Sequence, residues 1–317
     1  MKKLDETQII KKFQKIFGDK NFVSEDVESF SIGKTKIILK VDTLVESTDI
    51  SPKMSLKNAA RKSVVACVSD FASKGVEPKF GIISVNLPSK IVKKKVEDIA
   101  KGFKQASKEF NIKILGGDTN QGKEIVFHVC LFGSADKIVN RKGAKPGDSI
   151  FVTGPFGYTS AGLEILLNNG KGRDSFSKNA KNSVLNPKPQ LNYCLKNKKY
   201  FSSSMDSSDG LSTTLNELAK QSNCKFVINC VPAAKGIEKF SKQHKKNLED
   251  LVFHGGEEYE TVFTVSKKNR FKVISNAKLS KTPIIEIGFV TKGKDVFIEK
   301  NNKNVRLKDL GWRHFKK

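Results

Sequence analysis

The sequence predicts an α/β protein made of two mixed α/β domains. Three observations lead there. The chain has 317 residues, enough for two domains of ordinary size. Its hydrophobic residues, 38% of the total, are spread along segments that alternate between a helical period and β-branched runs. One stretch, Arg141-Lys142-Gly143-Ala144-Lys145-Pro146-Gly147-Asp148, is dense in turn-forming residues. It sets the expected division into residues 1–138 and 139–317.

Each element follows from local pattern. Glu6–Phe17 is amphipathic at helical spacing (Ile9, Ile10, Phe13, Ile16, Phe17) and stops at Gly18. Thr35–Val45 is a strand rich in β-branched residues. Ser55–Lys74 is a helix with Ala60, Val64, Cys67, Val68 and Phe71 on one face and Gly75 as its stop. Phe80–Leu87 reads as a strand, Ile91–Phe110 as a helix, and Ile112–Leu115 and Glu124–Phe132 as strands. Beyond the Gly/Pro stretch come a strand at Ser149–Thr153 and a helix at Tyr158–Asn168. The polar Asn169–Lys188 segment reads as a long surface loop. Leu211–Gln221 is a helix, and strands follow at Cys224–Asn229, Thr261–Val265, Ile284–Phe289 and Val296–Ile298.

Composition excludes several classes. No apolar stretch approaches the roughly 20 residues that cross a bilayer. Met1-Lys2-Lys3-Leu4-Asp5-Glu6 lacks the apolar segment of a secretory signal, so a cytoplasmic protein is expected. The five cysteines form no Cys-x-x-Cys pair; reduced thiols are expected and a zinc site is not. The net charge of +25 invites a nucleic-acid reading. Its lysines, however, are scattered (Lys11-Lys12, Lys93-Lys94-Lys95, Lys198-Lys199, Lys245-Lys246, Lys316-Lys317), and no nucleic-acid-binding motif accompanies them. A solvated lysine surface with no specific nucleic-acid partner is the expectation.

Against this basic background, the placement of the acids is informative. Asp26, Asp42, Asp70, Asp118, Asp206 and Asp209 sit in apolar or glycine-flanked contexts, as does the cluster Gly255-Gly256-Glu257-Glu258-Tyr259-Glu260. Such carboxylates are candidates for a shared site for Mg²⁺, a hard cation that prefers oxygen ligands and phosphate partners. Each has a plainer reading. Asp42 lies inside a strand, where aspartate is depleted, and either ends it at a site or pairs with a lysine. Asp70 opposes the dipole of its helix and is offset by a bound cation, by solvent, or by Lys74 one turn on. Gly116-Gly117-Asp118 is either a phosphate cradle with a metal ligand or a tight connection. Asp206 and Asp209 either share a metal cluster, or Asp209 or Ser208 caps the helix that follows. His128 and the other histidines form no catalytic triad, and neither a P-loop nor the protein-kinase motifs are present.

Taken in order, these segments resemble the thiamine-monophosphate kinase family, in the superfamily of aminoimidazole ribonucleotide synthase. The resemblance rests on Val41-Asp42-Thr43-Leu44-Val45-Glu46, Val68-Ser69-Asp70-Phe71-Ala72, Leu115-Gly116-Gly117-Asp118-Thr119, Arg141–Asp148 and Phe151-Val152-Thr153-Gly154. It continues through Asp206-Ser207-Ser208-Asp209-Gly210-Leu211, Gly255–Glu260 and Gly311-Trp312-Arg313-His314-Phe315, and so covers nearly the whole chain. It implies transfer of a phosphoryl group from ATP to thiamine monophosphate, giving ADP and thiamine diphosphate. It implies Asp26, Asp42, Asp70, Asp118, Asp206 and Asp209 as Mg²⁺ ligands, and Gly117, Asp118, Arg141 and Ser208 as ATP contacts. Glu257 and Trp312 would contact the thiamine phosphate. It also implies an ATP- and Mg-binding N-terminal domain whose sheet pairs across a homodimer, and a C-terminal domain that completes the substrate site. The attacking oxygen belongs to a phosphate that is largely dianionic near neutral pH, so no general base is expected.

The chain departs from the family pattern at four places. Ser24-Glu25-Asp26 stands for Gly-Asp-Asp, leaving Asp26 alone to carry over. Lys40-Val41 replaces hydroxyl ligands, so one metal is either held differently or partly replaced by the Lys40 charge. Asp49 stands for a substrate-contacting histidine and would meet the cationic rings or a metal. Glu258 stands for an aspartate. The rival readings are another ATP-using enzyme of the superfamily and a basic nucleic-acid-binding protein.

Overall fold

The computed structural model describes residues 4–18, 23–168 and 172–315. The Lys316-Lys317 pair and residues 169–171, the start of the segment read as a loop, lie outside the described residues.

The chain opens with α1 (Glu6–Phe17). Asp5 and Gln8 form a reciprocal capping box at its start, and Gly18 ends it in the left-handed region at φ 74°. There follow β1 (Glu28–Ile32), β2 (Thr35–Val45), the short α2 (Glu46–Asp49), α3 (Leu56–Ser73), β3 (Pro78–Pro88), α4 (Lys93–Glu109), β4 (Lys113–Gly122) and β5 (Val126–Ser134). The five strands make one sheet in the order β1-β2-β5-β3-β4. Only the β3–α4–β4 crossover is parallel. Its register places two rows of residues side by side. Asp42, Val129, Ile83 and Gly117 face α3, while Thr43, His128, Ser84 and Asp118 face the other way. Thr43 Oγ1 and His128 Nδ1, 2.9 Å apart, confirm that the second row shares a face.

The second half supplies β6 (Ser149–Val152), α5 (Tyr158–Leu167), α6 (Ser175–Leu185), α7 (Leu191–Asn197), β7 (Phe201–Ser207) and α8 (Leu211–Ser222). It continues with β8 (Lys225–Ile228), α9 (Ile237–His244), β9 (Glu260–Val265), α10 (Arg270–Ser280), β10 (Ile285–Thr291), β11 (Val296–Lys300) and β12 (Lys303–Arg306). Its seven strands run in the order β12-β11-β8-β10-β6-β9-β7. The architecture of two mixed α/β sheets with covering helices agrees with the sequence reading.

Helix α3 joins the halves. Every residue from Ala59 to Ser73 except Ala66 is buried, because α3 packs on β2 and β5 of the first sheet and on β7 and β9 of the second. Val64, Cys67, Val68 and Phe71 belong to one core cluster with Ile38, Val129 and Leu131 on one side and Phe151, Phe263 and Val265 on the other. Each fully buried large apolar side chain here contributes about 1.5–3 kcal/mol.

Three sequence expectations are corrected. Asn169–Lys188 is not one loop: α6 forms within it, capped by Asp174, whose side chain accepts from Ser177 N. Gly116-Gly117-Asp118 is not a turn after a short strand, because β4 runs on to Gly122. A Cβ at Gly117 would lie 1.6 Å from Ile83 O, so only glycine lets the strands pair there. Asp209 and Ser208 do not cap α8, whose N-cap is Gly210 without a side-chain bond. All five cysteines are free thiols, and among the described residues no helix is long and apolar enough to cross a membrane.

Candidate active site

The site is a cavity of about 640 Å³ where β2, α3, the end of β7 and the loop before β9 meet. Asp42, Asp49, Asp70, Asp206, Ser208, Asp209, Glu257 and Trp312 all line it. One wall is acidic. Asp70 reaches in from α3, Asp206 from β7, and Asp26 from the segment before β1; their carboxylate oxygens lie within 4.8 Å of one another. That convergence is not local, since these residues are far apart in sequence. It exists because α3 is wedged between the two sheets.

The chain's own cations thread this wall. Asp26 Oδ1 accepts from Arg141 Nε at 2.8 Å and from Arg141 Nη2, and its Oδ2 accepts from Ser73 Oγ at 2.8 Å and Lys74 Nζ at 2.9 Å. Those four donors take up the acceptor capacity of the carboxylate. Burial works to raise the Asp26 pKa, but Lys74 and Arg141 outweigh it and hold the group at about 2. Lys74 also pairs with Glu25 at 2.8 Å. Its ammonium thus meets Glu25, Asp26 and Ser204 O, not the carboxylate of Asp70 one turn before it. Asp70 instead meets Lys40 Nζ at 2.9 Å. The Asp206 carboxylate accepts only from Ser69 Oγ, at 3.0 Å, among the described hydrogen bonds. Burial, with the Asp26 charge adding to it, pushes its pKa up to about 7.

The opposite wall is built by the loop Gly255–Tyr259. Glu257 N donates to Ser208 O at 2.6 Å and Tyr259 N to Ser207 O at 3.1 Å, which folds the loop over the end of β7. A Cβ at Gly256 would meet Ser208 O at 2.7 Å, so the paired glycines permit this close approach. Glu257 itself sits at φ 63°. Its carboxylate pairs with the buried Lys62 of α3, whose ammonium also donates to Asp49 O at 2.9 Å. Asp49 Oδ2 accepts from Val45 N at 2.6 Å. Trp312 is 58% exposed at the cavity mouth and anchored by its backbone N–H to Asp209 O at 2.8 Å. The mouth therefore offers a flat aromatic face beside acids, while the deep wall offers oxygen donors.

Four residues implied by the resemblance do not line the cavity: Gly117, Asp118, Arg141, and Asp26, which lies behind the wall beside Asp70 and Asp206. Gly117 and Asp118 lie on β4, three strands from β2, and neither lines the cavity. Asp118 is exposed on the sheet face that points away from α3. Arg141 reaches the site only through Asp26. Sequence reasoning missed Lys62 and offered Lys74 only as a partner of Asp70. The signal for Lys62 was present: it is a charged residue inside a helix that proves buried along most of its length.

The match to known proteins follows this geometry. Residues 24–135 match the family model described as AIR synthase related protein, N-terminal domain, and residues 145–301 match its C-terminal domain. The chain is 61% identical over 316 residues to the thiamine-monophosphate kinase of Nitrosopumilus maritimus, covering 100% of both. It is 32% identical to that of Pyrococcus horikoshii, covering 100% of this chain and 98% of the relative. Among solved structures, "AaThiL complexed with AMPPCP and TMP" superposes with a TM-score of 0.87 at 30% identity, covering 99% of each chain. With both halves matched in order and the whole length aligned, the chain belongs to the thiamine-monophosphate kinase family of AIR synthase related proteins.

Proposed function

We propose that this chain transfers the γ-phosphoryl group of ATP to thiamine monophosphate, giving ADP and thiamine diphosphate. The observation that carries the reading is the two-walled cavity. Buried acids face one end, and Glu257 with an exposed Trp312 faces the other. A phosphate chain and a flat cationic ring system require those opposite environments. The kinases of Nitrosopumilus maritimus and Pyrococcus horikoshii share the full length of the chain, which supports the same reaction here.

The donor set fits Mg²⁺. Asp70 and Asp206 are hard oxygen donors with unused acceptor capacity, and Asp42 stands on the same wall. Asp209 is placed to serve a further ion at the mouth. Asp26, already held by Lys74 and Arg141, serves that wall by fixing its cations unless one of them is displaced. Bound there, Mg²⁺ would screen the mutual repulsion of ATP and the phosphomonoester.

The rest of the chemistry is positioning. Ser208, beside Asp206, is placed to contact ATP, and Arg141 holds Asp26 in place from behind the wall. Glu257 would face the charged part of thiamine and Trp312 would stack on a ring. The acceptor oxygen is already ionised, so no side chain need take a proton from it. We assign ATP and ion binding to residues 1–138 and completion of the substrate site to residues 139–317.

We place the enzyme in the cytoplasm, in keeping with its five free thiols, and as a homodimer paired through the first sheet. What supports the dimer is the apolar outer face of that sheet. Val41 is 61%, Ile82 42% and Leu115 59% exposed there, beside Asp118. Pairing through this face would bring Asp118, with the backbone of the neighbouring Gly117, to a shared ATP site. The test is direct. Purified protein with Mg-ATP and thiamine monophosphate should form thiamine diphosphate, and Asp42→Asn should abolish turnover without lowering the melting temperature. Formation of no product would reject the reading.

A further inference from the structure

We propose that the Lys40 ammonium is a resident counter-ion of the acidic wall, placed among carboxylates that would otherwise gather a divalent ion, so that this chain binds one divalent ion fewer than it would with a neutral side chain at position 40. The inference rests on the reading of that wall as the ion- and phosphate-binding end of the site.

Lys40 lies on β2 in register with the buried Leu131, so it points to the inner face of the sheet and toward α3. Its Nζ lies 2.9 Å from Asp70 Oδ2 and it lines the cavity. Asp42 and Asp206 line the same cavity beside Lys40 and Asp70. Those three acids are the ones left for a metal, because Asp26 is saturated by Arg141, Ser73 and Lys74. A fixed positive charge in direct contact with one of them repels a divalent ion sharing the same oxygens.

Asp26, Asp70 and Asp206 converge as a group. Their compensation is divided: Asp26 takes Lys74 and Arg141, Asp70 takes Lys40, and Asp206 has the hydroxyl of Ser69. An ammonium also differs from a metal ion in what it can do next. It carries three donors on a flexible stem and can hold Asp70 while turning one N–H to an entering phosphate oxygen.

The experiment counts ions rather than turnover. Mn²⁺ is titrated into the full-length protein with the ATP analogue AMPPCP, and free Mn²⁺ is read by its electron paramagnetic resonance signal. Lys40→Thr and Lys40→Gln should each bind one more Mn²⁺ per chain than the wild type, and Lys40→Arg should bind the same number as the wild type. Equal counts in all four proteins would overturn the proposal, since the ammonium would then be swinging aside. If Lys40→Thr does not fold, thermal melts of Lys40→Gln with and without Mn²⁺ decide. The proposal requires a larger Mn²⁺-induced rise in melting temperature than in the wild type, and an equal rise refutes it. Thiamine diphosphate formation by the wild type is measured in parallel. Its failure would remove the proposed reaction while leaving the ion count to stand or fall by itself.

Discussion

At the scale of single residues, the site depends on lysines that hold acids in place. Lys62 is 2% exposed and ties Glu257, from the second half of the chain, to the backbone of Asp49 in the first. Replacing it with methionine keeps the apolar stem and deletes both contacts, so Glu257 loses its orientation. Lys62→Met should raise KM for thiamine monophosphate by about tenfold or more while leaving KM for ATP nearly unchanged. Lys62→Arg should restore part of the loss. Equal changes in both constants would show that Lys62 serves the fold and not the substrate. Of the residues the sequence marked, Asp42 and Asp70 were legible because aspartate is out of place inside a strand or late in a helix, whereas Asp118, marked by its paired glycines, stands on the other face of the sheet. The partners of the acids were not legible. Nothing local says that Lys40 will meet Asp70 across a helix–sheet interface or that Lys74 will meet Glu25 and Asp26. Long-range pairing of that kind is decided by packing.

At the scale of elements, the loop before β9 and that strand's first residue carry a buried and a half-buried acid, Glu258 and Glu260, whose ionisation opposes folding. Burial pushes Glu260 up to about 8 and Glu258 up to about 7, although Thr153 donates to the former and Gly157 N, at 2.6 Å, to the latter. Both folded-state pKa values exceed that of an unfolded glutamate, so the folded chain holds more protons between about pH 4.5 and pH 8. Their contribution to stability is therefore greatest at the acid end of that window and is lost as pH rises through it. Glu260→Gln should show a smaller fall in melting temperature from about pH 5 to about pH 8.5 than the wild type. An undiminished fall would remove Glu260 from the account. Gly256→Ala should cost most of kcat, because its methyl group would push the loop off Ser208 O. Elements with a strong period were legible: α1, β2 and α3 stand where the pattern put them, to within a residue at either end. Helix α6 was not, since Phe176, Ala180 and Val184 make too thin a stripe among polar residues. Helix α10 was missed for another reason: Phe271 and Leu279 are 76% and 82% exposed, so its apolar residues do not share a face.

At the scale of the whole molecule, the outer face of the first sheet makes its own prediction. Ile82→Lys together with Leu115→Glu should give a monomer in sedimentation velocity where the wild type sediments as a dimer. A wild type that is itself monomeric would dismiss the proposed pairing. The Gly/Pro stretch marked a division of the chain in two, but nothing in the sequence marked the central place of α3. A helix listing Arg61, Lys62, Ser69, Asp70 and Ser73 among its residues does not look like one enclosed on every side. That enclosure has a consequence for how the polypeptide can be cut. A fragment ending near residue 138 would leave α3 with the half of its surroundings supplied by Phe151 and Phe263 stripped away, and the remainder would lack the rod around which it is assembled. Neither piece should survive alone in a cell, and heating the intact chain should melt both halves in one step.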